Sequence, residues 1–160
     1  MPSPYIVRPL TAEQIAQAFP LLVVLDPGLT FDRWSDYASA FVEPTQDAEP
    51  RRIMTVQNAQ GYIYGLASCR RRCDLHHGCV LEVENFVSFE LTGNKAAANA
   101  LLTVIEALAR EWDCGHISLS LLDPRMRSQL RTPHEPATSL FDVAGYHEEP
   151  FRLGKELHRH

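Results

Sequence analysis

The stretch Val80 to Trp112, VLEVENFVSFELTGNKAAANALLTVIEALAREW, changes its hydrophobic period part-way, and that change constrains the fold more than any other feature. Val80 to Phe89 is rich in Val, Phe and Leu and reads as a strand. Leu81, Val83, Asn85 and Val87 fall on one face, and Glu82, Glu84, Phe86 and Ser88 on the other. From there Ala97, Leu101, Val104, Ile105, Leu108 and Trp112 recur at three- and four-residue steps, the apolar stripe of a helix. Cys114-Gly115 ends that helix, and His116 to Leu122 is the next strand. Strand, helix, strand implies a right-handed crossover between two parallel strands. A ligand fits where such strands splay apart.

The junction Glu90-Leu91-Thr92-Gly93-Asn94-Lys95 lies between strand and helix. A helix start presents unpaired N–H groups and the positive end of its dipole, which suits an anion. Gly93 permits close backbone approach, Ala96, Ala97 and Ala98 add no bulk, and Lys95 adds positive charge. A phosphate or pyrophosphate fits such a place. The same residues also serve a plain turn, with Gly93 shaping it and the alanines allowing close packing.

Upstream, Tyr5 to Arg8 reads as a short strand ended by Pro9, and Thr11 to Gln14 as a capping box. Ile15, Ala18, Phe19 and Leu22 give the helix that follows an apolar face, which Pro20 should kink or split. Thr30 or Asp32 starts a second helix with Phe31, Trp34, Ala38 and Phe41 on one stripe. Arg52 to Gln57 and Tyr62 to Arg70 read as a hairpin turning at Asn58–Gly61. Gly65 inside a strand marks a bulge or a close backbone approach. A second hairpin joins Tyr62–Arg70 to the Val80 strand, with Asp74–Gly78 as its tip. Downstream, Arg125 to Pro136 is a long basic loop and a candidate flap. Thr138 to Val143 is a short helix capped by Gly145, and Tyr146 to Leu157 is expected to close the sheet as a strand.

Length and composition place these elements in one soluble globular domain, with 160 residues of which 45% are hydrophobic and 22% charged. A net charge of -5 argues against a nucleic-acid partner. No apolar run approaches a membrane span, and MPSPYIVRPL lacks the pattern of a secretory signal, so a cytoplasmic protein is expected. The segment Cys69 to Cys79 holds three Cys and two His. Its spacings match no standard zinc pattern, and no metal is expected. A disulfide between Cys69 and Cys79 conflicts with a reducing compartment.

The order of these motifs resembles the GNAT N-acetyltransferase superfamily over roughly Tyr5 to Leu157. Leu81-Glu82-Val83-Glu84-Asn85-Phe86-Val87 is similar to that family's fourth strand, often written I-E-N-V-V. Gly93 to Leu102 sits at its pyrophosphate loop, Q/R-x-x-G-x-G/A followed by a Leu-rich helix. Phe141 to Tyr146 resembles its late Y-x-x-x-G-F/Y motif, and Gly61 to Ala67 its third strand. Three departures stand out. Ala96 replaces an expected loop glycine, and Gly93 replaces the polar first residue. Phe141 replaces a Tyr that protonates the departing thiolate, and a Phe has no proton to give.

The resemblance implies an α/β (α+β) fold. Its central sheet is mixed and mostly antiparallel, with one parallel splayed strand pair, and helices flank it. It implies acetyl-CoA as the acyl donor and a small-molecule or peptide amine as the acceptor. The pyrophosphate would meet Gly93, Asn94, Lys95, Ala96, Ala97 and Ala98. The pantetheine would pair with the backbone of Phe86, Val87 and Ser88, as an added strand does. Glu84, then Glu82, is the candidate base for the acceptor ammonium. Tyr146 or Ser120 is the candidate acid for the leaving thiolate. The first two helices would line the acceptor pocket, with Phe31, Trp34 and Tyr37 either touching acceptor or packing in the core. The departures keep a second reading open: a non-catalytic CoA-binding or regulatory module on the same fold. A metal or interaction module centred on Cys69–Cys79 is a third. Exposed strands near the C-terminus would suit a homodimer.

Overall fold

Three antiparallel pairings and one parallel pairing make a single five-stranded sheet in the computed structural model, which describes residues 4–43, 46–89, 95–122, 139–149 and 153–157. The strands are β1 (Ile6–Pro9), β2 (Arg51–Gln57), β3 (Ile63–Asp74), β4 (Gly78–Ser88) and β5 (His116–Leu121), in that spatial order. Pro9 closes β1 without harm because β1 is an edge strand, where a missing N–H costs no ladder bond. Helices α1 (Ile15–Val23), α2 (Phe31–Val42) and α3 (Ala96–Glu111) flank the sheet. All of these lie in one compact unit, Met1–Met126.

Local chemistry accounts for most boundaries. The Gln14 side chain accepts from the Thr11 N–H at 3.2 Å, which opens a single 3-10 turn before α1. Thr30 accepts from the Arg33 N–H at 3.2 Å and caps α2. Asn58 Oδ1 accepts from the N–H groups of Gln60 and Tyr62, both at 3.0 Å, and holds the β2–β3 turn. Two expectations change here. Pro20 neither splits nor ends α1, which runs unbroken through it. Asp113, at φ 56°, takes the left-handed position after α3 that Gly115 was expected to take.

Contacts assign the helices to opposite sheet faces. Register puts Arg52, Cys69, Arg71 and Val83 on one face, and the end of α3 lies over it, with Arg71 Nε donating to the Trp112 carbonyl at 2.9 Å. Arg70 and Glu84 point to the other face, where α2 brings Tyr37. Leu66, Val80, Leu81, Val83, Phe86, Leu101 and Ile105 are fully buried. Each such side chain contributes roughly 1.5–3 kcal/mol through its removal from water.

The second unit, Arg127–His160, contains α4 (Leu140–Val143). Ser139 caps it by accepting from the Asp142 N–H at 3.3 Å, and Gly145 follows at φ 93°. The expected closing strand is not formed over the described part of Tyr146–Leu157. Residues 146–149 and 153–157 have no regular structure, with Leu153 99% exposed. Pro150 and Gly154 interrupt the alternation that suggested a strand. The candidate flap, Arg125 to Pro136, lies outside the described residues, as do Gly93 and Asn94.

Candidate active site

Asn85 is the hinge of the site. It sits in the middle of β4 with φ 59°, a left-handed conformation that few residues other than Gly, Asn and Asp adopt readily. One extra residue is accommodated there: Ser68 pairs with Glu84, whereas Leu66 pairs with Val87. Such a bulge reverses which face later side chains take. Glu82 and Glu84 therefore share a face with Val87, and Phe86 and Ser88 move to the face of Val83. This corrects the simple alternation, which grouped Phe86 and Ser88 with the two glutamates.

The bulge also disrupts the parallel ladder. β4 and β5 pair from Val80–His116 to Val83–Leu119, the register then shifts, and pairing returns at Phe86–Leu121. The Leu122 N–H donates to the Phe86 carbonyl at 3.2 Å. Beyond that bond, Val87 and Ser88 have no β5 partner among the described residues. The open part of the pair therefore starts past Phe86 rather than along the whole of Val83–Ser88. Backbone direction alternates along a strand. Phe86 directs its carbonyl to β5, and the Phe89 N–H donates to the Tyr64 carbonyl at 2.7 Å on the β3 side. Ser88 therefore directs its own N–H and C=O to the open side. Gly65 lies against this segment so closely that a Cβ there would stand 2.5 Å from the Val87 carbonyl oxygen.

Glu82 and Glu84 stand two residues apart on one face. Arg70 Nη2 donates to Glu82 at 2.8 Å and lies 3.6 Å from Glu84, and Arg72 forms a second ion pair with Glu82. Glu82 is buried, at 5% exposure. The hydrogen bond it shares with the Glu84 side chain, then the Arg70 and Arg72 guanidinium groups, hold it down at about 2. Glu82 is thus a buried carboxylate paired with arginine. Glu84 is half-buried beside Tyr37. The Tyr37 hydroxyl accepts from Asn85 Nδ2 at 3.1 Å. Burial, with the negative charge of Glu84 adding to it, pushes that phenol above its usual range.

Of the three aromatics considered for the acceptor side, Tyr37 contacts this cluster. Trp34 is core, 3% exposed, with Nε1 donating to the Ile15 carbonyl at 2.7 Å. Phe31 packs edge-on against Phe19 at 5.5 Å. The pairing of Tyr37 with Asn85 was not legible as such, although an Asn inside an apolar strand was a signal for positive φ.

At the helix start, Lys95 takes the left-handed position at φ 57° and precedes α3. The first intrahelical bond is Asn99 N–H to the Lys95 carbonyl at 3.0 Å, so the N–H groups of Ala96, Ala97 and Ala98 come before it. The side chains of Ala97 and Ala98 are fully buried. Tyr146 belongs to the second unit, edge-on to Phe141 at 6.3 Å. The Cys69–Cys79 cluster does not converge: Cys69 is fully buried, whereas Cys73 and Cys79 face each other across the hairpin near its tip.

The sequence matches no protein-family model and no curated protein. Solved structures match over nearly the whole chain. An aminoglycoside N-acetyltransferase AAC(6')-Iy in complex with CoA has a TM-score of 0.73 at 14% identity, covering 98% of this chain and 97% of its own. A Trypanosoma brucei acetyltransferase has a TM-score of 0.67 at 16% identity, covering 96% and 99%. The glucosamine-6-phosphate N-acetyltransferase of Arabidopsis thaliana has a TM-score of 0.68 at 12% identity, covering 96% and 99%. A transcriptional regulator from Bacillus halodurans has a TM-score of 0.66 at 16% identity, covering 97% and 99%. With its mixed five-stranded sheet, parallel β4–β5 pair and helices on both faces, the chain has the fold of the GNAT N-acetyltransferases.

Proposed function

We propose that this protein is an N-acetyltransferase that moves an acetyl group from acetyl-CoA to an amine by direct attack. The observation that carries the reading is the bulge at Asn85, which sets Glu84 beside Tyr37 and leaves the main chain of Ser88 open just past the last β4–β5 pairing. The residues suit the donor. Ser88 offers one N–H and one C=O for the amides of a pantetheine arm, and Phe86 and Val87 flank it. Lys95 and the first N–H groups of α3, with Gly93 and Asn94 before them, suit a pyrophosphate. When bound, acetyl-CoA supplies an acyl group activated by a thiolate leaving group.

The chain's own residues do the rest. Glu82, held ionised down to about 2, is too weak a base to deprotonate an ammonium. Its part is to anchor Arg70 and Arg72, and Glu84 takes the acceptor's proton directly or through water. Tyr37 holds Asn85 and so fixes the direction of Glu84. Phe141 has no proton to give. The acceptor is a small-molecule or peptide amine. No helix among the described residues is long and apolar enough to cross a membrane. A cytoplasmic location accompanies the reading, and a homodimer is compatible with it.

Acetyl-CoA titration followed by thermal unfolding is the first test. Ligand at about 100 times its Kd adds about 2.7 kcal/mol, so the midpoint rises. Release of free thiol is then followed across a panel of primary amines. Glu84→Gln should keep the thermal shift and lose turnover by about 100-fold or more. No shift at millimolar CoA rejects the donor site. A shift with no turnover of any amine supports the non-catalytic module instead.

A further inference from the structure

Antiparallel pairing puts Arg71 opposite Leu81 and Cys73 opposite Cys79, so Arg71 and Cys79 share one sheet face. The chain leaving α3 crosses that face, and the Gly115 N–H donates to the Cys79 carbonyl at 3.1 Å. This brings Cys114 beside Cys79. Arg71 serves both sulfurs. Its Nη2 donates to Cys79 Sγ at 2.7 Å, and its positive charge also acts on the Cys114 thiol. Three further contacts fix the guanidinium and the second thiol: Arg71 Nε to the Trp112 carbonyl at 2.9 Å, Arg71 Nη1 to Glu49 at 3.3 Å, and Cys114 Sγ to the Trp112 carbonyl at 3.7 Å. Both thiols are half-buried, within reach of a small reagent. Cys69 is sealed in the core with its thiol pushed up to about 12 by burial; burial also raises the Cys114 thiol, and the Arg71 charge opposes that rise.

We propose that Cys79 and Cys114 form a dithiol site that takes peroxide oxidants and trivalent arsenicals, with Arg71 as its positioning residue. The peroxide O–O bond breaks as one oxygen bonds to the Cys79 sulfur, giving a sulfenic acid and one water. The Cys114 sulfur then attacks, the S–S bond forms, the S–O bond breaks, and a second water carries away the oxygen and the remaining proton. Two electrons pass from the two thiols to one hydrogen peroxide. The bridge ties the start of β4 to the connection between α3 and β5. The site does not depend on the acetyltransferase reading.

The test treats the full chain with hydrogen peroxide, blocks remaining thiols with N-ethylmaleimide, and maps peptides by mass spectrometry. The expected product is a Cys79–Cys114 cross-linked peptide lighter by two hydrogens, with a raised unfolding midpoint that dithiothreitol reverses. Phenylarsine oxide should protect the same two thiols, and not Cys73, from alkylation in the unmutated protein. Cys114→Ser should leave a sulfenic acid on Cys79 that dimedone traps. Arg71→Lys should slow bridge formation about fivefold, the effect of one lost hydrogen bond. A bridge from Cys79 to Cys73, or independent alkylation of Cys79 and Cys114 in the presence of phenylarsine oxide, overturns the site. An unchanged rate in Arg71→Lys overturns the role given to Arg71.

Discussion

Replacing Glu82 by Gln separates electrostatic support of the site from its chemistry. Gln has the shape of a protonated Glu and cannot carry the charge that Arg70 and Arg72 face. The carboxyl group moves from 4.5 in the unfolded chain to about 2 in the fold. A shift of that size corresponds to at most about 3 kcal/mol. The Arg70 side chain is 49% exposed and that of Arg72 32%, so solvent screens part of it. The expected loss at neutral pH is about 1–2 kcal/mol. Because the folded value is depressed, the contribution is complete above pH 4.5, and is lost as pH falls from 4.5 through about 2. Asp74 is held at about 2 as well, chiefly by the His76 N–H, so the acid limb of the parent protein alone does not isolate Glu82. The difference between parent and Glu82→Gln does. Urea unfolding at pH 7, 5, 4 and 3 should show a gap of about 1–2 kcal/mol that narrows below pH 4.5. A gap that stays constant down to pH 3 would refute the assignment of that stability to the ionised carboxylate.

Other changes bear on the same segment. Tyr37→Phe removes the acceptor of the Asn85 Nδ2 bond and should cost about 1 kcal/mol in urea unfolding, with kcat/KM falling more than CoA affinity does. Asn85→Val must hold a β-branched residue at φ 59°, and should lose about 1–2 kcal/mol; Asn85→Gly, which tolerates that backbone, should lose less. Gly65→Ala drives a methyl group to 2.5 Å from the Val87 carbonyl. It should destabilise by about 1–3 kcal/mol, and should weaken the thermal shift given by CoA, because the displaced strand is the one that carries Ser88. Cys69→Ala leaves a small core defect and should not alter oxidation of Cys79, as peptide mapping would show.

The sequence by itself determined the elements that depend on local chemistry. The switch from a strand pattern before Phe89 to a helical stripe after Ala97 required a crossover, and β4, α3 and β5 follow it. Thr30 capped the helix it precedes, and the Asn58–Gly61 turn joined β2 to β3. Tertiary structure decided what depends on pairing. Alternation along Val80–Phe89 carries no record of a single extra residue, so the bulge at Asn85, and with it the face taken by Phe86 and Ser88, appears only once β3 fixes the register. Burial of Glu82 is likewise a property of its neighbours, since the two arginines that make it tolerable come from another strand. Cys79 and Cys114 are far apart in the chain, and meet because α3 returns over the face on which Arg71 waits. Short-range preferences fix where strands and helices begin, but which side chains converge is set by contacts between segments distant in sequence.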